Sequence, residues 1–328
     1  IQTRGKVSSI VHYHDSFFVG FLMDGILLLE KQKNTSHYRI QPLPVNSGVF
    51  CLKKDRFQDI VWIGTDGQGV YLYSNPLYSI KSVVLGNYTE KIERPVRALL
   101  QDDERTFWVG TKGNGILKIY DYEVDKNLSD CRAEVLTTSN SALGSNAVYC
   151  FARSHRNLLW IGEEEGLTYY SYREKRIKRL PVRIGNEEFK YIHDIYETAD
   201  SELWLASVGM GVVRARIAGT PDNPLIVDAQ RYIINDGELG SNYFFTIYAE
   251  NEANLLFGNK GYGVFRFNKT TNGLEPVSTH KYENMTLNNI LAISKVSSNN
   301  YLFGTRYGLI KYTSETSYHL ANAKNRFL

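Results

Sequence analysis

Short apolar runs alternate with polar, glycine-containing turns along the chain, and one pattern of runs and turns returns seven times. Its most regular part is an apolar strand ending in glycine, as at 61–64, then a glycine turn and a tyrosine-containing strand, as at 70–73. Runs of this length, rich in β-branched and aromatic residues, predict β-strands. We call the residue that ends the first strand the marker. It is glycine in six copies and alanine in the fifth: Gly20, Gly64, Gly110, Gly162, Ala206, Gly258 and Gly304.

Another apolar strand precedes each marker at a nearly constant distance. These strands are predicted to begin at Val7, Val49, Val96, Val148, Ile192, Phe244 and Ile290. The offset from strand start to marker is 13 to 15 residues, whereas successive starts lie 42 to 52 residues apart. All four tryptophans stand two residues before a marker. A repeat in the forties with tryptophan and glycine in an inner strand is typical of a β-propeller blade.

The sequence therefore predicts an all-β fold, a seven-bladed β-propeller with four antiparallel strands per blade, as a single domain over 1–328. In blade 3 the strands A to D are predicted at 96–100, 106–111, 116–120 and near 133–137. Residues 1–6 or 317–323 could supply the outer strand of the last blade. We favour the C-terminal segment, so that the ring closes by packing between blades.

The third residue of the predicted innermost strand is mostly small, as converging strands require. These residues are Ser9, Cys51, Ala98, Cys150, Asp194, Thr246 and Ala292. Two of the three cysteines belong to this set, in blades 2 and 4, and non-adjacent blades cannot bring them within disulfide distance. We predict that all three cysteines are free and mostly buried.

Composition narrows the function classes. The chain is 43% hydrophobic and 22% charged, which describes an ordinary globular protein. A net charge of +3 with scattered lysine and arginine argues against nucleic-acid binding. No apolar run approaches the ~18 residues that a membrane span needs. We interpret the chain as a mature or excised extracellular portion of a larger protein.

Three groups of residues could suggest a metal site or a catalytic site. His12 and His14 share one strand face, but a metal site normally needs three or four ligands. The carboxylates at 163–165 are interpreted as a solvated acidic turn in preference to a catalytic pair. Asp194, beside His193, either lines the central channel or is a hydrogen-bonded structural acid, and we favour the second. We predict no catalytic residue, metal or cofactor.

One face of the disc is the predicted binding surface. The B–C turns and the D–A connections share this face, which we call the upper face, and the A–B and C–D turns form the lower face. Arginine and lysine pair with carboxylate or sulfate, and tyrosine offers a platform for a sugar. The alternative is a set of solvated loops. The residues predicted to bind are Lys112, Asn114, His193, Asn242, Tyr243, Lys260, Tyr262, Arg306 and Tyr307.

Three sequence features resemble two-component regulator propeller repeats. They are the Leu-Trp-Ile-Gly-Thr phrase around the marker, the Gly-(Val/Ile/Leu)-x-x-Tyr strand after it, and the Leu-Gly-Ser-Asn segments at 143–146 and 239–242. The resemblance covers all seven copies. It implies the periplasmic sensor of a Bacteroidetes hybrid two-component system, whose parent is membrane-anchored and carries a histidine kinase. Such sensors typically hold two propellers in tandem, whereas this chain holds the blades of one.

We therefore predict a periplasmic or extracellular sensor propeller, without enzymatic activity of its own. It would bind an oligosaccharide or a partner domain to regulate polysaccharide utilisation. Two alternatives stay open: a propeller enzyme, a glycan lyase or hydrolase, at the channel mouth, and an interaction scaffold without a small ligand. The small net charge and the lack of a long apolar stripe predict a monomer or weak dimer.

Overall fold

The computed structural model describes residues 5–32, 35, 37–74, 79–83, 92–102, 105–122, 131–234, 242–251, 254–278, 281–282, 285–286, 289–297, 300–306, 308–313 and 324–327. Every regular element in these residues is a strand, and seven four-stranded antiparallel sheets form the blades of a β-propeller. The predicted fold class is confirmed. Over the same residues no helix has the length and apolarity to cross a membrane.

The strands of each blade follow one another from the axis outwards. The innermost strands are β1 (Val7–Tyr13), β5 (Val49–Lys54), β9 (Val96–Gln101), β13 (Val148–Arg153), β19 (Ile192–Glu197), β23 (Phe244–Asn251) and β29 (Ile290–Ser297). The second strands are β2 (Ser16–Phe21), β6 (Ile60–Thr65), β10 (Phe107–Thr111), β14 (Leu158–Glu163), β20 (Glu202–Ser207), β24 (Asn254–Asn259) and β30 (Asn300–Thr305).

The third strands are β3 (Ile26–Lys31), β7 (Val70–Ser74), β11 (Ile116–Ile119), β15 (Gly166–Ser171), β21 (Gly211–Thr220), β25 (Gly263–Asn268) and β31 (Gly308–Thr313). The outer strands are β4 (Tyr38–Leu43), β8 (Ser79–Val83), β12 (Ala133–Leu136), β16 (Arg176–Arg179), β22 (Asn223–Tyr232), β26 (Gly273–Ser278) and β32 (Lys324–Phe327). Two small hairpins lie between blades: β17 (Arg183–Ile184) with β18 (Glu187–Glu188), and β27 (Lys281–Tyr282) with β28 (Met285–Thr286).

The ring closes by contact between the last blade and the first. Each innermost strand contacts that of the next blade, and β29 contacts β1 in the same way. The outer strand of the last blade is β32, which pairs with β31 and comes from the C-terminal segment, as favoured from the sequence. It lies slightly later than predicted, and 317–323 fall outside the described residues. All four strands of the last blade are thus consecutive in the chain, and the ring closes by packing.

The marker is small because the next blade packs directly against it. A Cβ added at Gly64 would lie 2.7 Å from Cγ1 of Val96, the first residue of the next innermost strand. At the closing contact, a Cβ on Gly304 would lie 2.5 Å from Cγ1 of Val7. Both distances are shorter than ordinary van der Waals contact. The small residue that marks each repeat in the sequence therefore lets neighbouring blades approach closely.

The tryptophans fill the space between blades, and three of them bind buried carboxylates at the ends of innermost strands. The Nε1–H donors and their acceptors are Trp62 with Asp55 at 2.9 Å, Trp108 with Asp102 at 2.8 Å and Trp160 with Glu197 at 2.8 Å. Asp102 is buried and accepts hydrogen bonds from both Trp108 Nε1–H and the Thr106 N–H.

Small residues at the third position of the innermost strands bond to the neighbouring blade. Ser9 Oγ accepts from the Leu52 N–H at 3.1 Å. Asp194 accepts from its neighbour Ile195 at 2.9 Å and from Ile247, one blade on, at 2.7 Å. Asp194 is thus a structural acid, and burial raises its pKa to about 6. None of the three cysteines forms a disulfide, as predicted, although only Cys150 is fully buried.

Candidate functional site

Each innermost strand carries a β-bulge at its second residue. In β13, Val148 pairs with Glu163 and Cys150 with Gly162, so Tyr149 between them has no partner in the ladder. A bulge interrupts the alternation of side chains between the two sheet faces and re-aims the extra residue. Here it turns that residue towards the axis. We call the seven bulged residues the axial ring: Ser8, Phe50, Arg97, Tyr149, His193, Phe245 and Leu291.

The axial ring lines a cavity where the innermost strands begin. The seven side chains and Leu22, from the adjoining B–C turn of blade 1, surround a volume of about 290 Å³. All seven ring residues are half-buried. The volume equals that of about ten water molecules, which is room for one sugar ring. The fold therefore builds a concave site at the upper end of the central channel.

One side of the cavity holds a positive charge. The guanidinium carbon of Arg97 lies 4.1 Å from the centre of the Phe50 ring, in cation–π contact. Among the described residues, Nε of Arg97 is buried and has no hydrogen-bond partner. Burial lowers the pKa of this guanidinium, but it stays charged at any physiological pH. Arg97 is thus a cation on the axis with unused donor capacity.

The next three blades contribute an aromatic arc to the cavity. The rings of Tyr149 and His193 are stacked with centres 4.3 Å apart and 16° between planes. Phe245 meets His193 edge to face at 5.7 Å. Burial, with Arg97 and Lys112 nearby, lowers the pKa of His193 to about 3. His193 is therefore neutral near pH 7, and the arc presents uncharged rings to the cavity.

Turns on the upper face are fixed by the residue that follows the marker. This residue is a buried polar side chain in six blades: Thr65, Thr111, Glu163, Ser207, Asn259 and Thr305. Thr111 Oγ1, for example, donates to the Gly115 carbonyl at 2.8 Å across the B–C turn of blade 3. Ser207 Oγ donates to the Lys190 carbonyl at 2.7 Å and joins the turn to the D–A connection. These hydrogen bonds fix the turns of the upper face that surround the cavity, which we call the rim.

The predicted cations lie on exposed turns of the upper face. Lys112, Lys260 and Arg306 are all exposed, and their backbone N–H groups donate to carbonyls of the D–A connections. Lys260 Nζ also lies 4.8 Å from the centre of the Tyr243 ring. The turns and the connections therefore do share one face. Whether these cations bind a ligand stays a prediction.

Other residues that were predicted to bind a ligand make hydrogen bonds or packing contacts within the protein. Asn242 Oδ1 accepts from the Ile234 N–H at 2.7 Å, and its amide donates back to the Ile234 carbonyl. Asn114 Oδ1 accepts from the Arg94 N–H at 3.0 Å. Tyr262 is half-buried and packs against the core of the blade 5 and blade 6 interface. Tyr307 lies outside the described residues.

The carboxylates at 163–165 in blade 4 do not form the solvated acidic turn that was predicted from the sequence. Glu163 is 1% exposed and not solvated, because its carboxylate accepts from the Gly144 N–H at 3.0 Å and from the Ser145 N–H. Burial raises its pKa. Glu165 pairs with Lys190, and Glu164 accepts from Ser145 Oγ at 3.1 Å. All three acids thus hold the turn to its neighbours.

His12, in β1, and His14, in the turn after it, lie towards the lower face. His14 Nε2 lies 2.7 Å from Asp59 Oδ1, and His12 lies 4.7 Å from the Phe17 ring. Among the residues the structure describes, no group of three histidine, cysteine, aspartate or glutamate side chains is placed to hold one ion.

Only His193 of the axial ring was among the predicted site residues. Sequence reasoning missed Phe50, Arg97, Tyr149 and Phe245. Since all seven copies share the bulge, the offset from strand start to marker stays nearly constant and gives no sign of it. The detectable signal is the residue between the apolar first position and the small third position. In five of seven copies it is aromatic, histidine or arginine.

The fold resembles several solved structures. The extracellular domain assigned to a hybrid two-component system of B. thetaiotaomicron matches with a TM-score of 0.70, 21% identity and 95% of this chain covered. That assigned to a one-component system of the same organism matches with a TM-score of 0.66, 18% identity and 93% coverage. The WD40 β-propeller domain of Doa1 matches with a TM-score of 0.65 and 11% identity, over 95% of this chain and 94% of that one.

This chain spans 39% and 38% of the two B. thetaiotaomicron chains. No protein-family model and no curated protein sequence matches it. At these identities the likeness shows the fold, a β-propeller.

Proposed function

We propose that this chain is the sensor propeller of a two-component system on the periplasmic or extracellular side of the membrane, and that it binds an oligosaccharide on its upper face. The observation that carries the binding proposal is the axial ring, because seven β-bulges turn seven side chains into one cavity. Bulges are over-represented next to active sites, where they re-aim a side chain. The sensor role draws on the repeat resemblance and on the two extracellular domains that share the fold.

The upper face has the chemistry that sugar binding needs. Aromatic rings stack on the apolar faces of sugars, and a few placed polar groups fix the orientation. The cavity offers the arc of Tyr149, His193 and Phe245 together with the Arg97 guanidinium. Around it, exposed Lys112, Lys260 and Arg306 add positive charge, which favours an anionic oligosaccharide. Longer ligands would extend from the cavity across these turns.

A glycan lyase is the second candidate, since a tyrosine, a histidine and an arginine meet in the same cavity. The electrostatics favour binding over turnover. Burial raises the pKa of Tyr149 and the pKa of His193 is lowered to about 3, so neither is poised as a general base near pH 7. A hydrolase would need a carboxylate pair, and the axial ring contains no carboxylate.

A glycan array with the isolated protein, followed by calorimetry on the bound glycans, tests the proposal. We expect saturable binding, with Lys260→Ala and Arg306→Ala each weakening the affinity about two- to fivefold, as exposed ion pairs do. Arg105→Ala is the control, because Arg105 is exposed on an A–B turn of the lower face and should leave the affinity unchanged.

Three results would contradict parts of this proposal. Equal affinity of all three variants would place the ligand elsewhere than on the upper face. Release of unsaturated or hydrolysed sugar on incubation would favour the enzyme. No binding to any glycan would favour the interaction scaffold.

A further inference from the structure

Arg97 stands out in the axial ring because the fold fixes its position and leaves its charge uncompensated. Its backbone lies in the bulge of β9, between Val96 and Ala98, which pair with Thr111 and Gly110. Its guanidinium carbon lies over the Phe50 ring, 4.1 Å from the ring centre. A guanidinium held in contact with a ring loses less entropy when a ligand binds than a free side chain would.

No acidic side chain among the described residues forms an ion pair with Arg97. Its buried Nε lacks an acceptor, and Asp66 on the rim acts on it only through space. Burying a charge without a partner costs free energy that a bound anion can offset. The neighbouring His193 is neutral and Lys112 is cationic, so the potential around Arg97 favours an anion.

The shape of the cavity restricts which anion fits. A guanidinium presents parallel N–H donors that match the two oxygens of a planar carboxylate. On the next two blades, Tyr149 and His193 present stacked, uncharged rings, which suit the apolar face of a sugar. The volume of about 290 Å³ is enough for one sugar ring. A carboxylate attached to a single sugar ring can therefore meet Arg97 while the ring meets the neighbouring aromatic side chains.

We infer that the axial cavity is a subsite for the terminal uronic acid of an acidic oligosaccharide, with its carboxylate on Arg97 and its ring against Tyr149 and His193. Arg97 is then the residue that selects carboxylated over neutral sugars, whereas the rim cations act on the rest of the chain. This inference rests on the proposed function, since it assumes that the upper face binds a saccharide.

The test compares matched acidic and neutral probes by calorimetry. The probes are disaccharides of glucuronic, galacturonic and mannuronic acid, each beside its carboxyl-reduced, neutral counterpart. We expect at least one acidic disaccharide to bind about ten- to hundredfold more tightly than its neutral counterpart, as loss of a charge-assisted hydrogen bond implies. In Arg97→Met that preference should fall to about twofold or less, with the affinity for the neutral sugar kept.

Two further variants test whether the preference for acidic sugars depends on the Arg97 side chain itself or on positive charge in general. Arg97→Lys keeps the charge but loses the planar donors, so most of the preference should disappear. Arg105→Ala removes a positive charge from the lower face and should leave the disaccharide preference unchanged. If Arg97→Met does not fold, as judged by circular dichroism, Arg97→Lys decides the question.

Each remaining outcome identifies what has failed. Equal affinity of the native protein for acidic and neutral disaccharides overturns the subsite while the proposed function stands. An acid preference that survives in Arg97→Met and Arg97→Lys overturns the role of Arg97. Stronger binding of sulfated disaccharides than of all the uronic acids makes the site one for sulfate. No binding of any probe overturns the subsite, and glycan-array binding to longer sugars then decides the proposed function.

Discussion

Replacing Trp160 with alanine is expected to lower the free energy of unfolding by about 3–5 kcal/mol, as large-to-small changes in a core do. The Trp160 side chain is fully buried, and its ring packs edge to face on Tyr169 at 5.9 Å. Its Nε1–H donates to Glu197 Oε2 of the next blade at 2.8 Å. Truncation leaves a cavity between two blades and removes a hydrogen bond from a buried carboxylate.

The loss in free energy of unfolding is measured by urea unfolding. Backbone circular dichroism follows the transition, because this signal does not depend on the tryptophan that is removed. Trp160→Phe is the matched variant, because it keeps most of the ring volume and removes the donor, so its loss should be smaller. Met23→Ala is the surface control, since Met23 is 80% exposed, and it should change the free energy by less than about 0.5 kcal/mol. A loss below about 1 kcal/mol for Trp160→Ala would mean that Trp160 does not hold the blades together.

Replacing Gly162 with alanine is expected to destabilise the protein by about 1–3 kcal/mol or more, although it adds only a methyl group. The new Cβ would lie 2.4 Å from Cys150 Sγ and 2.7 Å from the Ile192 carbonyl oxygen. The second atom belongs to the backbone of the next blade. The clash therefore cannot be relieved by rotating a side chain, and the two blades must separate.

Two matched substitutions isolate the effect of the marker. Gly273→Ala adds the same methyl group in the outer strand β26, where the nearest atom to the new Cβ is 3.8 Å away, so the loss should be negligible. Ala206→Gly restores the marker residue of the other copies in blade 5, at a cost of about 0.5–1 kcal/mol for glycine in a strand. Equal stability of Gly162→Ala and Gly273→Ala, by thermal unfolding, would contradict the packing role of the marker.

The fold was predictable from the sequence because packing between blades constrains residue size. The marker must be small where the next blade approaches, as at Gly64 and Gly304, and a large buried side chain, tryptophan in four blades, fills the space beside it. These constraints act in every blade, so they leave a periodic trace in the sequence. The identity of the marker and its distance from the preceding strand were enough to count the blades.

The candidate site was predictable only in part. The turns of the upper face could be assigned from strand order, so Lys112, Lys260 and Arg306 were placed there from the sequence. The bulge that aims Arg97 and Tyr149 at the axis is a property of the backbone, and strand alternation alone would place these side chains on a sheet face. Burial of Glu163 was missed for a similar reason, because its partners are backbone N–H groups of a connection 18 residues away.

The central claim is that a ligand enters the axial cavity, and the histidine ring signals of the protein test it directly by nuclear magnetic resonance. His193 lines the cavity, whereas His14 and His155 lie near A–B turns of the lower face. On saturation with the tightest-binding acidic disaccharide, we expect the His193 ring signals, assigned with His193→Gln, to shift while those of His14 and His155 stay in place. An unchanged His193 signal at full saturation would contradict the account.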